Sequence, residues 1–198
     1  MTEKEKMLKG EIYDSGDSEL VSLRAKCHRL CQEYNALADT DRENRNNILK
    51  EMGIKMGKGS YLQGPIYIDY GCFTSIGERT YVNFNLTILD TCEVKIGNDV
   101  FIGSGVSLLT PLHPMKYKER NYYINEEGKW KNKEYGAPII IKDNCWICSN
   151  VSILPGVTIG EGSVIGAGSV VTHDIPDNCF AAGNPCKVIK QINNQSEK

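Results

Sequence analysis

Aliphatic residues recur at every sixth position over two long stretches of this chain. The longer stretch carries Ile141, Ile147, Ile153, Ile159, Ile165 and Val171. A small or β-branched residue stands four positions after each of these, namely Cys145, Val151, Val157, Ser163, Ser169 and Ile175. The earlier stretch has Ile76, Val82 and Ile88 and, after a slip of two residues, Ile96, Ile102 and Leu108. A period of six fits neither an α-helix nor an alternating strand.

Strict six-residue self-similarity is typical of a parallel β-helix. Each unit forms one short strand and one corner, with the large aliphatic side chain inside and the small one where the walls close. Coils stacked at the strand spacing of about 4.8 Å would bury an aliphatic column. The sequence therefore predicts a mainly β protein built from hexapeptide coils.

Glycine pairs in VTIGEGSVIGAGSVV, residues 157–171, could suggest a phosphate-binding loop. Both pairs lack the third glycine of a dinucleotide fingerprint, and the Gly-Lys-Ser/Thr of a Walker loop is missing. Each glycine that directly follows a lattice aliphatic is interpreted as a corner residue that needs a permissive backbone. These glycines are Gly97, Gly103, Gly160 and Gly166.

A helical segment precedes the repeat. Apolar residues of GDSELVSLRAKCHRLCQEYNAL follow helical spacing, and Asp17 or Ser18 can cap the start. Thr40 and Glu43 form a capping box that predicts a second helix ending near Gly53. We expect a helical segment at 1–53, a β-helix at 54–190 interrupted by a loop at about 113–137, and a tail at 191–198. Such a long loop within a repeat is usually functional or disordered.

Charge and composition exclude several classes of function. The net charge of −2 does not favour nucleic acid or an anionic membrane as partner. The N-terminus MTEKEKMLKG lacks the apolar core of a signal peptide, and no apolar run is long enough to span a bilayer. The sequence predicts a cytoplasmic protein that binds neither nucleic acid nor membrane.

Eight cysteines raise the question of metal or disulfides. Cys145 and Cys148 form a C-x-x-C, but neither a second such pair nor a histidine pair accompanies it. The lattice places Cys145 inside the coil and Cys148 at a corner. We therefore expect reduced cysteines that pack as small apolar residues, with no zinc and no disulfide.

Several motifs in fixed order resemble the maltose/galactoside O-acetyltransferase family of hexapeptide-repeat acyltransferases. They are GEIYDSGDSEL, IYIDYG at 66–71, NFNLTILD at 83–90, HP at 113–114, EYGAPI at 134–139, NCWICSNVSILPGVTIG at 144–160, VIGAGSVVT at 164–172 and AAGNPCKVI at 181–189. They span nearly the whole chain, and their combination is far more specific than the repeat alone.

The resemblance implies a left-handed parallel β-helix with an N-terminal helical cap and a long inserted loop. It implies a homotrimer whose active site lies in the groove between subunits, with the loop reaching across. Acetyl-CoA would donate an acetyl group directly to a hydroxyl of a sugar. A base would take the hydroxyl proton, and a backbone N–H would stabilise the oxyanion.

The family pattern assigns His113 as the catalytic base, a role that suits a neutral imidazole. It places Asn83 in the site beside the acceptor and the base. The other acceptor positions that the resemblance implies are Asp69, Tyr81, Asp90 and Arg24. Thr91 replaces a second aspartate found in the galactoside branch, and Ser15 replaces a sugar-contacting aspartate. The maltose branch also lacks the second aspartate, so Thr91 favours that branch.

For the CoA slot, the family pattern points to Trp146, Ser149, Ala167, Thr172, His173, Lys187 and Lys190. The Ser149 backbone N–H is the implied oxyanion donor. Lys187 and Lys190 stand where arginine often contacts the nucleotide phosphate, and lysine can do so as a point charge. His173 replaces a frequent lysine, and Cys148 replaces a common glycine, which would narrow the slot.

Three alternatives remain open at this point. The same machinery could acetylate an antibiotic or another non-sugar hydroxyl. A zinc carbonic anhydrase shares the β-helix, but it needs three histidine ligands across the subunit groove, and His28 lies in the helical segment. A non-catalytic β-helix would bind no CoA, and the presence of His113 with Asn83 argues against it.

Overall fold

The computed structural model describes residues 1–193, so most of the predicted tail lies outside the described residues. Within this range, three helices come first, followed by twenty-one short strands and one further helical turn. The helices are α1 (Glu3–Leu8), α2 (Ser18–Ala36) and α3 (Arg42–Met52). In the described part of the chain, no helix is long and apolar enough to cross a membrane.

The helix starts differ in part from the sequence prediction. Asp17 caps α2, as expected, by accepting from the N–H groups of Glu19 and Leu20. The capping box predicted at Thr40 is wrong, because α3 begins one residue later and Asp41 accepts from Asn44 N. Helix α1 was not predicted, although Thr2 and Glu5 form a true capping box there.

Three parallel sheets form the walls of a triangular prism, and each coil contributes one strand to each sheet. Sheet I contains β1 (Lys55–Met56), β4 (Thr74–Ile76), β7 (Val94–Ile96), β14 (Ile139–Ile141) and β17 (Thr158–Ile159). Sheet II contains β2 (Tyr61–Leu62), β5 (Tyr81–Val82), β8 (Phe101–Ile102), β15 (Trp146–Ile147), β18 (Val164–Ile165), β20 (Cys179–Gly183) and the antiparallel β21 (Cys186–Gln191). Sheet III contains β3 (Ile66–Ile68), β6 (Leu86–Leu89), β9 (Ser107–Leu109), β16 (Ser152–Ile153) and β19 (Val170–Val171).

The corners are named by the sheets that they join, in chain order: I–II, II–III and III–I. The predicted column of aliphatic residues fills the prism, and every lattice position from Ile76 to Val171 is buried. Strand β21 ends at Gln191, so the first residue of the expected tail still belongs to a strand. The prediction of a mainly β protein of hexapeptide coils is confirmed.

Coil length explains the slip in the repeat. Tyr61, Tyr81 and Phe101 pair in register, so the first coils are 20 residues long. After the arm, Trp146 pairs with Val164 in a coil of 18, and Val164 pairs with Phe180 in a last coil of 16. The two residues that the first coils have beyond the coil of 18 lie at the III–I corner, where six positions separate Ile88 from Val94 but four separate Ile153 from Val157. The III–I corner is therefore the larger one in the N-terminal coils.

The glycines that follow the lattice aliphatics are required for a different reason from the one predicted. Gly97, Gly103, Gly160 and Gly166 are not among the residues with positive φ. Each instead lies against the next coil: an added Cβ at Gly160 would approach Asp177 N to 2.4 Å. Glycine is required at these positions because the gap between coils is too narrow for a Cβ. The left-handed backbone conformation occurs instead at later corner residues such as Gly168.

The chain leaves the prism after β9 and returns at β14. The excursion, which we call the arm, consists of residues 110–138. It contains β10 (Pro111–Leu112), α4 (Tyr117–Arg120), β11 (Tyr123–Ile124), β12 (Trp130–Lys131) and β13 (Tyr135–Gly136). Strands β10 and β13 pair antiparallel and form the root of the arm, and β11 and β12 form a hairpin beyond it.

Candidate active site

His113 directly follows β10 at the root of the arm and is exposed. Its Nδ1 lies 3.0 Å from the carbonyl oxygen of Lys133 on the returning side of the arm. Because a carbonyl oxygen can only accept, Nδ1 must carry the proton in this contact. The neutral ring then presents an unprotonated Nε2, which is the state that a general base requires.

Asp90 lies one coil from the root of the arm, and it is fully buried at the III–I corner. Its Oδ1 accepts from Tyr70 N at 2.8 Å, and its Oδ2 accepts from Thr74 Oγ1 at 2.9 Å. Burial raises the pKa of Asp90 to about 7, against the opposing effect of these two donors. Both carboxylate oxygens are thus engaged within the chain, which favours a corner-bracing role over the predicted sugar contact.

Asp69 follows β3 at the same corner, and its Oδ1 lies 3.1 Å from His28 Nε2 on α2. The pair borders a cavity of about 310 Å³ between α2 and sheet III, whose wall includes Tyr67 and Leu89. Asp69 therefore faces a space that can hold a ligand. His28 was not predicted as a site residue; its place on α2 gave no sign that the helix would pack against Asp69.

Arg24, the other acceptor candidate on α2, is engaged by its own chain. Its Nη1 donates to Tyr70 Oη at 2.7 Å, and its Nη2 donates to the Ser15 carbonyl at 3.3 Å. These contacts tie α2 to the N-terminal segment beside the III–I corner. A sugar-binding role for Arg24 stays a prediction.

The II–III corner carries a second group of candidates. Asn83, Gly103, Cys148 and Gly166 are stacked there, because the strand residues before them pair in register. The Asn83 side chain accepts from Phe84 N at 2.7 Å. Cys148 is partly exposed where the neighbouring coils have glycine, and Cys145 is buried inside the coil, as the lattice predicts.

Ser149 follows at the same corner, next to Gly103 of the coil below. An added Cβ at Gly103 would lie 2.6 Å from Ser149 N, so glycine keeps that backbone N–H uncovered. Within residues 1–193, no backbone or side-chain acceptor takes this N–H. Its hydroxyl contacts Ser104 Oγ at 3.2 Å. An unengaged N–H at an open corner can stabilise an oxyanion.

The outer face of sheet II carries Tyr81 and Trp146, both exposed. Trp146 borders a surface cavity of about 430 Å³ together with Phe180 and Lys190 of the C-terminal strands. Lys187 is also exposed on β21. Ala167 occupies the II–III corner one coil after Ser149, whereas Thr172 and His173 lie at the III–I corner and hydrogen-bond each other at 2.8 Å.

The candidates thus fall into two separate groups within one chain. The III–I corner holds His113, Asp69, Asp90, Thr172 and His173, and Arg24 reaches it from α2. The II–III corner and the face of sheet II hold Asn83, Tyr81, Trp146, Ser149 and Ala167, with Lys187 and Lys190 on β21. Sheet III separates the groups by the length of a strand of up to four residues, or roughly 13 Å.

Metal ligands do not cluster in the described part of the chain, where no group of three or more His, Cys, Asp or Glu side chains could hold an ion. All eight cysteines are described and carry free thiols. Burial raises the pKa of Cys145 to about 11 and also raises the pKa of Cys148. Both thiols are therefore poor nucleophiles near neutral pH.

Comparison with known proteins gives the fold and site a family. Residues 6–52 match the maltose acetyltransferase hexapeptide capping motif, and residues 138–173 match the bacterial transferase hexapeptide of six repeats. The galactoside O-acetyltransferase of Escherichia coli is 40% identical, with 98% of this chain and 91% of the relative covered.

Solved structures agree with the sequence matches. The maltose O-acetyltransferase of Clostridium difficile is 40% identical with a TM-score of 0.86, and 98% of each chain is covered. A hexapeptide-repeat acetyltransferase of Vibrio cholerae, solved in complex with acetyl-CoA, is 34% identical with a TM-score of 0.85 and covers 98% of this chain and 100% of its own.

The prism fold, the six-residue repeat and the similar proteins together identify the chain as a hexapeptide-repeat acyltransferase. More narrowly, the chain belongs to the maltose/galactoside O-acetyltransferase family, because both of the 40% identical relatives match it over more than nine-tenths of each chain. The predicted resemblance is confirmed, while the role of each site residue stays a prediction.

Proposed function

We propose that this protein transfers the acetyl group of acetyl-CoA to a hydroxyl of a sugar by direct attack, with His113 as general base. The observation that carries the proposal is the hydrogen bond from His113 Nδ1 to Lys133 O, which leaves Nε2 free to accept a proton. The donor is inferred from family membership and from the Vibrio cholerae relative that was solved with acetyl-CoA.

The reaction needs three groups from the protein. His113 Nε2 takes the proton of the acceptor hydroxyl while the hydroxyl oxygen attacks the thioester carbonyl. The Ser149 N–H donates to the carbonyl oxygen as it becomes an oxyanion, a contribution of about 3 kcal/mol in a well-measured hydrolase. When the C–S bond breaks, His113 returns its proton to the CoA thiolate, so the protein ends in its starting state.

Features of the II–III corner fit the donor. Gly103 leaves the Ser149 N–H uncovered, and Ala167 lies at the same corner one coil further. The cavity beside Trp146, Phe180 and Lys190 offers an aromatic wall and a cation for the nucleotide end of CoA. His173 and Thr172, at the other corner, would reach CoA from the neighbouring subunit.

Assembly as a homotrimer, which the family resemblance implies, is supported by the same division. In one chain, His113 lies at the III–I corner and Asn83 at the II–III corner, so a complete site needs two copies placed corner to corner. The face of sheet II supports this arrangement, because Tyr81, Phe101 and Trp146 form an exposed aromatic row in parallel register. Such a row would be covered in a symmetric assembly.

The acceptor is inferred to be a sugar of the maltose type or a galactoside. The cavity between α2 and sheet III combines Tyr67, which can stack on a sugar ring, with the polar pair Asp69 and His28. The proposal is tested by mixing the enzyme with acetyl-CoA and a panel of maltose, glucose, galactosides and hydroxyl-bearing antibiotics, and measuring free CoA thiol.

Rapid thiol release with at least one sugar, and not with the antibiotics, is expected. Acetylation of an antibiotic alone would replace the sugar as acceptor while keeping the chemistry. Binding of CoA without thiol release for any hydroxyl compound would contradict the proposal.

A further inference from the structure

The N-terminal segment around Tyr13 pairs with the returning side of the arm. Tyr13 N donates to the Glu134 carbonyl at 3.0 Å, and Tyr13 Oη donates to Glu134 Oε1 at 2.7 Å. The two residues lie 121 positions apart in sequence, and Tyr13 is only 2% exposed. One buried residue thus holds both the backbone and the side chain of Glu134.

Further contacts on each side of Glu134 extend this junction. An ion pair joins Lys131 to Asp14, and Ser15 Oγ lies 3.3 Å from Asn132 Oδ1. Beyond Glu134, an added Cβ at Gly10 would lie 2.7 Å from the Gly136 carbonyl oxygen, so the two segments are in close contact there as well. The returning side of the arm is therefore attached to the N-terminal segment from 131 to 136.

Lys133 lies in the middle of this attached stretch, between Asn132 and Glu134. Its carbonyl oxygen is the group that accepts from His113 Nδ1 at 3.0 Å. His113 lies on the outgoing side of the arm and Lys133 on its returning side. Neither residue belongs to the prism. The position of the Lys133 carbonyl is therefore set by the β10–β13 pairing beside it and by the contacts that attach the returning side of the arm to the N-terminal segment.

We propose that Tyr13 is a positioning residue for His113: by holding Glu134, it fixes the Lys133 carbonyl where it keeps the proton on Nδ1 and the lone pair on Nε2. The inference rests on the proposed role of His113 as base. In metal sites, changing the partner that orients a ligating histidine through its second ring nitrogen typically costs about 10- to 100-fold in affinity or activity.

The chemistry of Tyr13 suits this role. Burial, together with the neighbouring Glu134 carboxylate, raises the pKa of Tyr13, so its hydroxyl is a permanent donor near neutral pH. The hydroxyl is also the only part of the contact that a phenylalanine would remove. A variant at this position can therefore separate orientation of the base from packing of the ring.

The test compares Tyr13→Phe with Tyr34→Phe, which removes an equally buried hydroxyl that donates to Leu62 O at 2.5 Å beneath α2. Tyr13→Phe should lower kcat by about tenfold with little change in the KM for acetyl-CoA, the low end of the effect of such orienting partners. It should also displace the acid limb of the pH–rate profile. Tyr34→Phe should leave the profile in place.

A second readout does not depend on activity. Nitrogen-15 NMR of the His113 ring should show an Nδ1-protonated ring in the native protein and a mixture of tautomers in Tyr13→Phe. If the tautomer shifts but His113→Ala keeps full activity, the positioning relationship stands and the assignment of the base fails. An unchanged tautomer together with kcat within twofold of native would overturn the positioning role.

Glu134 provides a pair of variants should Tyr13→Phe fold poorly. Glu134→Ala removes the acceptor of the Tyr13 hydroxyl, and Glu134→Gln retains a carbonyl oxygen at that place. Glu134→Ala should reproduce the tenfold loss, and Glu134→Gln should restore most of it. Equal activity of the two variants would contradict the proposal.

Discussion

Asn83 and His113 lie at opposite edges of sheet III, Asn83 after a strand of sheet II and His113 at the foot of the arm. If the site forms between subunits, the two residues must come from different chains. His113→Ala and Asn83→Ala enzymes, each impaired alone, should then complement each other when unfolded together and refolded.

Random mixing in equal amounts would give about one quarter of the sites both native residues, because each site takes one residue from each of two neighbours. Recovery toward a quarter of native activity is the expected result, measured as CoA thiol release. If both residues of a site came from one chain, no mixed oligomer would contain a native site, and activity would not exceed the mean of the two variants.

His113→Ala by itself should lower kcat by about 10²- to 10⁴-fold, the usual contribution of a general base. Acetyl-CoA affinity should stay near native, because the His113 side chain is exposed at the root of the arm and is not one of the residues proposed to bind acetyl-CoA. The rate is measured in single-turnover experiments at saturating acceptor, and affinity by calorimetry. Retention of more than about a tenth of the native rate would exclude His113 as the base.

Gly103→Ala should impair both stability and catalysis. Its Cβ would lie 2.6 Å from Ser149 N, which forces adjacent coils apart and covers the proposed oxyanion donor. We expect a loss of about 1–3 kcal/mol in unfolding free energy, as for overpacked interiors, with a lower kcat. Thermal unfolding and steady-state kinetics measure the two effects.

Gly156→Ala is the matched control for that substitution. Gly156 has a φ of +84°, but its added Cβ would meet only Ala137 Cβ at 3.5 Å. Its cost of about 1 kcal/mol should come from the backbone alone, with kcat preserved. Equal kinetic effects at the two positions would mean that access to Ser149 is not what Gly103 provides.

His28→Gln and His173→Gln should each raise the KM for a different substrate. His28 faces Asp69 in the cavity beside α2, so its loss should raise the KM for the acceptor by about three- to tenfold, equivalent to one hydrogen bond. His173 hydrogen-bonds Thr172 in the proposed donor slot, so its loss should raise the KM for acetyl-CoA instead. A rise in the same KM for both variants would refute this division of the site.

Ionisation of Asp90 should lower the free energy of unfolding as the pH rises toward 7. Its pKa of about 7 in the folded protein exceeds the ordinary value of about 3.9, so the native chain binds more protons than the unfolded chain between these values. The unfolding free energy therefore falls across this window, by up to about 1.4 kcal/mol per pH unit, and levels off above pH 7.

Asp90→Asn should remove this slope while keeping an acceptor for Tyr70 N. The measurement is denaturant unfolding between pH 5 and pH 8 at fixed protein concentration, since dissociation of an oligomer would contribute. Asp99→Asn is the control: the Arg79 contact lowers the pKa of Asp99, so its effect is lost only as the pH falls below about 4. Parallel native and Asp90→Asn curves would show that Asp90 does not titrate in this range.

The interior of the prism could be predicted from sequence, because the side chains that must be buried recur at every sixth position. Residues at positions such as Ile141 and Ile147 must point inward, and each coil repeats these positions. The break after Ile88 in the six-residue pattern falls at the longer III–I corner. The same local reasoning failed at Thr40, where Asp41 offers an equally suitable oxygen one residue later. Neighbouring candidates for a cap differ by too little energy for the sequence to decide.

The contacts that shape the site depend on partners far away in the chain. Nothing near His28 indicates Asp69, and nothing near Tyr13 indicates Glu134, because each pair forms only once a helix or the arm has packed. The motif order assigned His113 and Asn83 roles that can be tested, yet the sequence could not reveal that the prism places them at different corners. Such relationships are properties of coil geometry and not of local pattern.

The change from 20-residue to 18-residue coils at the arm also limits how this protein can be lengthened or shortened. A duplicated segment preserves the inward column only if it equals a whole coil of the block into which it is inserted: 20 residues before Leu109, 18 in the coil that begins at Ile139, and 16 in the last coil, where Val164 pairs with Phe180. A length that matches none of these coils would rotate corner residues into the interior. Natural or engineered length variants should therefore differ by whole coils, and the arm, which belongs to no coil, is where sequences of unrelated length can be accommodated.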